Sequence, residues 1–158
     1  QRQMCIRDRM SRAYYRKRSE ATEQERVINW ATFYAKDFPE LDLLHHIPNG
    51  GKRGKAEAGR FRAMGVKSGV PDIFLPVGVQ KIDSVDRGQY TIIRTKYNGP
   101  YIELKRLRGG TVSAAQKQWI ARLRDAGYAV EVCKGWEAAA AVITNYLEGR
   151  YKPQFQCE

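Results

Sequence analysis

Apolar residues recur along this chain in two rhythms, and the switches between them mark out its elements. Over Tyr101-Ile102-Glu103-Leu104-Lys105-Arg106 apolar and charged positions alternate, which predicts a strand with Ile102 and Leu104 on one face and Glu103 and Lys105 on the other. Upstream the spacing is helical. A first helix is predicted from Ser19 or Thr22 to Phe38, with either residue as N-cap and with Thr22 and Glu25 at capping-box spacing. At about 100° per residue, Glu20, Val27, Ala31, Tyr34 and Phe38 fall within about 40° of one line, so Glu20 is expected along the buried stripe. Glu23 lies about 60° to one side of that line, and Glu25 faces solvent.

Pro39 ends the helix, and a short strand is predicted over Leu41–Ile47, stopped by Pro48. Adjacent in a strand, His45 and His46 point to opposite faces and do not serve one site together, and neither is assigned a role. Ala56–Met64 reads as a short helix with Gly65 as its C-cap. Gly69-Val70-Pro71-Asp72-Ile73-Phe74-Leu75 then enters a strand, Pro71 standing at its permitted first position. Residues 78–100 read as a peripheral hairpin or loop excursion: polar over Lys81–Gly88, strand-like over Gln89–Thr95, with a turn signal at Asn98-Gly99. After the 101–106 strand, a helix opens at Ser113 and closes at Ala126 with Gly127 behind it, sharing Gln116, Trp119, Ile120 and Leu123 on one face. A strand over Tyr128–Cys133 and an Ala-rich helix over Trp136–Leu147 complete the pattern, and the tail from Gly149 is expected to be loose.

Charge adds a partner class. The 158 residues carry a net charge of +11 and 42% hydrophobic residues, which argues for a folded domain that meets a polyanion, nucleic acid foremost. No apolar run approaches the length of a membrane span, so no membrane partner is expected. Much of the charge sits in residues 1–18, where seven Lys or Arg meet only Asp8, the pattern of a disordered basic arm. Residues 1–9 differ in character from the rest and are expected to be partly non-native, Met4 and Met10 both offering starts. Cys5, Cys133 and Cys157 form no C-x-x-C pair, which together with the lack of a signal-peptide pattern predicts a reducing, cytoplasmic setting.

Three stretches bear candidate chemistry. Asp is uncommon inside strands, so Asp72 either caps a turn or ligates a metal. Glu103 and Lys105 place a carboxylate and an ammonium side by side, which also suits the solvated face of an edge strand. The glycines and cations of Asn49-Gly50-Gly51-Lys52-Arg53-Gly54-Lys55 suit a phosphate-contacting loop or a flexible turn, and lack P-loop spacing.

In order, Glu20-x-x-x-Gln24, Ile47-Pro48-Asn49-Gly50-Gly51-Lys52-Arg53, Gly69-Val70-Pro71-Asp72, Ile102-Glu103-Leu104-Lys105-Arg106 and Ser113-x-x-Gln116-x-x-Trp119 resemble the VRR-Nuc family, in its stand-alone phage type, within the PD-(D/E)xK nuclease superfamily. The resemblance covers about residues 19–148, between the arm of residues 1–18 and the tail of 149–158. It implies an α/β, restriction-endonuclease-like core of αβββαβ type, a central mixed sheet flanked by helices, here with an inserted hairpin between Asp72 and Glu103. It implies a metal-dependent endonuclease acting on DNA, on junctions, flaps or other branched forms, and leaves room for a homodimer. Asp72, Glu103, Lys105, Glu20 and Gln116 would be the catalytic set, with Glu23 as the alternative first-helix carboxylate. Asp72, Glu103, the Leu104 carbonyl and Glu20 would hold Mg²⁺ or Mn²⁺, whose preference is for such oxygens. Asn49, Lys52, Arg53, Lys55 and Arg106 would contact DNA. Two alternatives stay open: Ser113-x-x-Gln116 is also a capping box, and a metal-free DNA-binding accessory protein on the same fold is the rival function.

Overall fold

In the computed structural model, residues 19–48, 55–78, 81–86, 89–93 and 97–153 are described, with the backbone alone for Lys55 and for residues 81–93. The basic arm of residues 1–18, the Asn49, Lys52 and Arg53 loop, the side chain of Lys55 and the end of the tail (residues 154–158) lie outside the described residues.

The first helix, α1, runs Glu20–Tyr34, and Ser19 rather than Thr22 caps it, its hydroxyl accepting from the Thr22 N–H at 3.1 Å. Its buried face is Glu23, Val27 and Ala31. Glu20 is exposed, so the expected stripe is rotated: Tyr34 is 40% exposed and Phe38 lies past the helix end. Pro39 opens a 3₁₀ turn, Pro39–Leu43, in its favoured first position, and the expected Leu41–Ile47 strand shrinks to β1, His45–His46. Helix α2 (Lys55–Ala63) follows, then β2 (Ile73–Phe74).

β3 (Lys81–Asp86) and β4 (Gln89–Ile93) form an antiparallel hairpin, a separate two-stranded sheet in which the polar 81–86 stretch is itself a strand. β5 (Pro100–Lys105), α3 (Ala114–Asp125), β6 (Ala129–Lys134) and α4 (Trp136–Leu147) close the chain. The main sheet is ordered β1-β2-β5-β6, antiparallel except for the parallel β5/β6 pair that α3 crosses over. The fold is therefore an open, mixed α/β sheet with flanking helices.

Alternation along β5 and β6 divides the core. Ile102, Leu104 and Cys133 face α1 and α4, packing with Val27, Ala31, Ala139 and Ile143. Tyr101, Val130 and Val132 face α3, against Ile120, Leu123 and Trp119. Tyr146 of α4 grips the hairpin's base, its hydroxyl within reach of the Val77 carbonyl at 2.8 Å and the Tyr97 carbonyl at 3.1 Å. Nor is the tail loose throughout: the Tyr151 hydroxyl donates to the buried Glu131 carboxylate at 2.5 Å. Burial, and after it that bond, pushes the phenol's pKa well up.

Candidate active site

Register brings the two principal carboxylates together. Ile73 pairs with Ile102 and Phe74 with Tyr101, so one further antiparallel step sets Asp72 opposite Glu103 on the same sheet face. Residues facing in this way have Cβ atoms about 4.5–5.5 Å apart. The chain leaves this strand pair after Phe74 and returns at Pro100, the end away from Asp72 and Glu103.

Asp72 is fixed from three directions. Its Oδ2 accepts from the Leu104 N–H at 2.8 Å, while its carbonyl receives the Ile47 N–H and His46 Nδ1, each at 2.8 Å. In a strand a residue's N–H and C=O leave on the same edge, so the Leu104 carbonyl is directed toward Asp72 as its amide is. His45 turns away to the Leu43 carbonyl and the edge of Phe74. Gly69 seats the approach to Asp72 against the first turn of α3. Its φ is +86°, and a Cβ there would stand 2.7 Å from the backbone carbon of Ala115.

Glu103 is fully buried, and its two oxygens differ. Oε1 lies 2.7 Å from Lys105 Nζ and accepts from Gln116 Nε2 at 2.5 Å. Oε2 is buried with no hydrogen-bond donor. A buried carboxylate oxygen left bare costs roughly 1–3 kcal/mol or more, a cost that a bound cation or a proton would relieve. Gln116 forms the capping box and also reaches into the site. Its Oε1 accepts from the Ser113 N–H at 2.8 Å and its own N–H donates to Ser113 Oγ at 3.2 Å, completing the capping box, while Nε2 holds Glu103.

Glu20 reaches the rim, Oε1 standing 4.0 Å from Lys105 Nζ, with Gly110 folded over both side chains. Glu23 does not join them. It is wholly buried and its Oε2 accepts the Trp136 N–H at 2.9 Å, so it caps α4, whose own cap residue Gly135 has no side chain to offer. The alternative first-helix carboxylate is thus placed in a helix cap. Arg106 is exposed just beyond β5.

Electrostatics match the geometry. Burial, reinforced by Asp72 and Glu20, pushes the Glu103 carboxyl up to about 7 in spite of Lys105. Burial raises Asp72 as well, and the bond from Leu104 only partly offsets it. Lys105 is desolvated, yet its carboxylate neighbours carry its pKa above the usual lysine value. Among the described residues, Asp72, Glu103 and Glu20 gather around the Lys105 ammonium, with His46 also acting on Asp72. Among the described residues no three His, Cys, Asp or Glu side chains form a ready-made metal cage. The residues present nonetheless fit a hard divalent ion that keeps several waters: Asp72, the bare Glu103 Oε2 and the Leu104 carbonyl are all oxygen donors.

An open mixed sheet carrying facing carboxylates and a lysine at one strand end defines an α/β domain built around a buried acidic site. The chain belongs to the VRR-NUC domain family, a nuclease domain family, which it matches over residues 6–137. A solved structure described as a VRR_NUC domain protein is 29% identical, with 89% of this chain and 98% of that one covered and a TM-score of 0.63. No curated protein matches the chain. The resemblance to the VRR-Nuc family is therefore borne out at the level of the family. What the sequence left unseen were the supports: Gly69, Gly110, the His46 contact and the cap formed by Glu23. A glycine at φ > 0 signals nothing before its neighbours are known.

Proposed function

We propose that this protein is a metal-dependent endonuclease that hydrolyses DNA phosphodiester bonds in the cytoplasm, selective for junctions, flaps or other branched forms. One observation carries the catalytic part: Glu103 is buried with Oε1 held by Lys105 and Gln116 while Oε2 lacks any donor. Asp72, Glu103 and the Leu104 carbonyl would hold Mg²⁺ or Mn²⁺, with Glu20 at the rim acting directly or through water. An ion bound there supplies Lewis-acid stabilisation of the scissile phosphate and a more acidic water. Lys105, held by Glu103, would stabilise charge that develops on the phosphate. Gln116 holds the Glu103 carboxylate by Oε1, which would leave Oε2 to the ion. Asn49, Lys52, Arg53, Lys55 and Arg106 would bind the phosphate backbone without reading sequence. Arg60 and Arg62 of α2 are both exposed. Selectivity for branched DNA is supported by the family resemblance alone.

Linear, flap and four-way DNA incubated with Mg²⁺, Mn²⁺ or EDTA test the proposal. Cleavage in either metal, abolished by EDTA and favouring the branched substrates, is the expected result. Binding without cleavage in both metals would replace it with an inactive DNA-binding accessory protein. Equal cutting of linear DNA would remove the structural selectivity.

A further inference from the structure

The nuclease reading uses Glu20 but leaves Glu23, one turn later and fully buried, outside the chemistry. Glu20 is the first residue of α1, its side chain is 47% exposed, and the helix begins on an exposed Ser19 cap. Such an end frays unless something deeper holds it. Glu23 is that hold. Its Oε2 accepts the N–H of Trp136, the first residue of α4, and the residue before that, Gly135, donates its own N–H to the Lys105 carbonyl at 2.8 Å. Residues three apart share a helix face, so fixing Glu23 also fixes the direction of Glu20. Glu20 then returns to Lys105 through its ammonium, 4.0 Å away, with Gly110 closing over the pair. A ring of contacts thus runs from the Lys105 backbone through Gly135, Trp136, Glu23 and Glu20 back to the Lys105 side chain.

We propose that Glu23 is a positioning residue: by capping α4 it anchors the first turn of α1 and sets where Glu20 stands at the metal site. This rests on the reading of Glu20 as part of that site. Positioning contacts behind a metal ligand typically change metal affinity or activity roughly 10–100-fold when removed. Glu23→Gln keeps an acceptor oxygen for Trp136, whereas Glu23→Ala removes it.

The test is Mn²⁺ titration calorimetry on the full chain without DNA, with metal-free melts and single-turnover cleavage alongside. The variants are Glu23→Ala, Glu23→Gln, Glu20→Gln and the Glu20→Gln/Glu23→Ala pair. Glu23→Ala should weaken Mn²⁺ binding as much as Glu20→Gln does, roughly 10–100-fold. Glu23→Gln should restore most of it, and Glu23→Ala should cost nothing further when Glu20 is already changed. Should Glu23→Ala fail to fold, Glu23→Asp carries the same comparison, because its carboxylate is drawn back by one methylene. Unchanged Mn²⁺ affinity in Glu23→Ala, or a loss that adds in full to that of Glu20→Gln, overturns the proposal. If Glu20→Gln itself binds Mn²⁺ normally, it is the assignment of Glu20 that has failed, and the role given to Glu23 falls with it.

Discussion

Gln116 holds Glu103 with the nitrogen of its side-chain amide, at 2.5 Å, and closes the first turn of α3 with the oxygen of the same group, at 2.8 Å from the Ser113 N–H. Because an amide presents a donor and an acceptor in one rigid plane, the cap fixes the plane and the plane aims the donor. The helix end and the carboxylate are thereby one mechanical unit.

Two substitutions separate its halves. Ser113→Ala removes the hydroxyl that accepts the Gln116 N–H and should cost about 0.5–2 kcal/mol of stability while leaving single-turnover cleavage near normal. Gln116→Ala loses the cap and the hold on Glu103 together, so stability and cleavage should both fall. Urea melts beside a cleavage assay make the comparison; normal cleavage by Gln116→Ala would show that Glu103 keeps its orientation unaided.

The Glu103 carboxyl, raised to about 7 from an ordinary 4.5, gives the metal-free protein a distinctive pH response. Between those values the folded state binds more protons than the unfolded one, so stability falls as pH rises. The contribution is complete below about 4.5 and lost on passing through about 7, and the raised Asp72 acts in the same direction. Melting temperatures in EDTA should therefore drop across this window, Mn²⁺ should restore stability at the alkaline end, and Glu103→Gln should flatten the profile. A Tm that climbs from pH 5 to 7.5 in EDTA contradicts this account.

Asp72→Asn retains an oxygen to accept the Leu104 N–H but removes a negative ligand. The fold should survive with little change in Tm, cleavage in Mg²⁺ should fall by orders of magnitude, and DNA affinity in EDTA should hold or rise. Normal cleavage by this variant would mean the site has been misplaced.

Gly69→Ala should be among the most damaging small changes. A non-glycine residue held at positive φ costs roughly 1–3 kcal/mol, and here the added methyl also meets the Ala115 backbone at 2.7 Å. Both stability and cleavage should decline, because the chain entering Asp72 must move off α3. Chemical denaturation is the check, and a loss under about 0.5 kcal/mol, the range of a neutral surface change, counts against the packing described.

Local rules carried much of this protein. Alternation alone placed Glu103 and Lys105 on one face of β5, the Ser113 and Gln116 spacing marked a capping box, and a proline followed by an aspartate marked the mouth of β2. Those are properties of a chain with its nearest neighbours in sequence. The facing of Asp72 and Glu103 was not among them, since it depends on how β2 and β5 slide past one another, and a slip of one residue would have put the carboxylates on opposite faces. The first-helix carboxylates show the same limit. The expected stripe took its phase partly from Tyr34 and Phe38, but one is 40% exposed and the other lies beyond the helix. What turned Glu23 inward was α4, whose uncapped first turn needed an acceptor that its own sequence, beginning at Gly135, does not supply. Periodicity tells which residues can share a face; only the partner packed against that face decides which of them is buried.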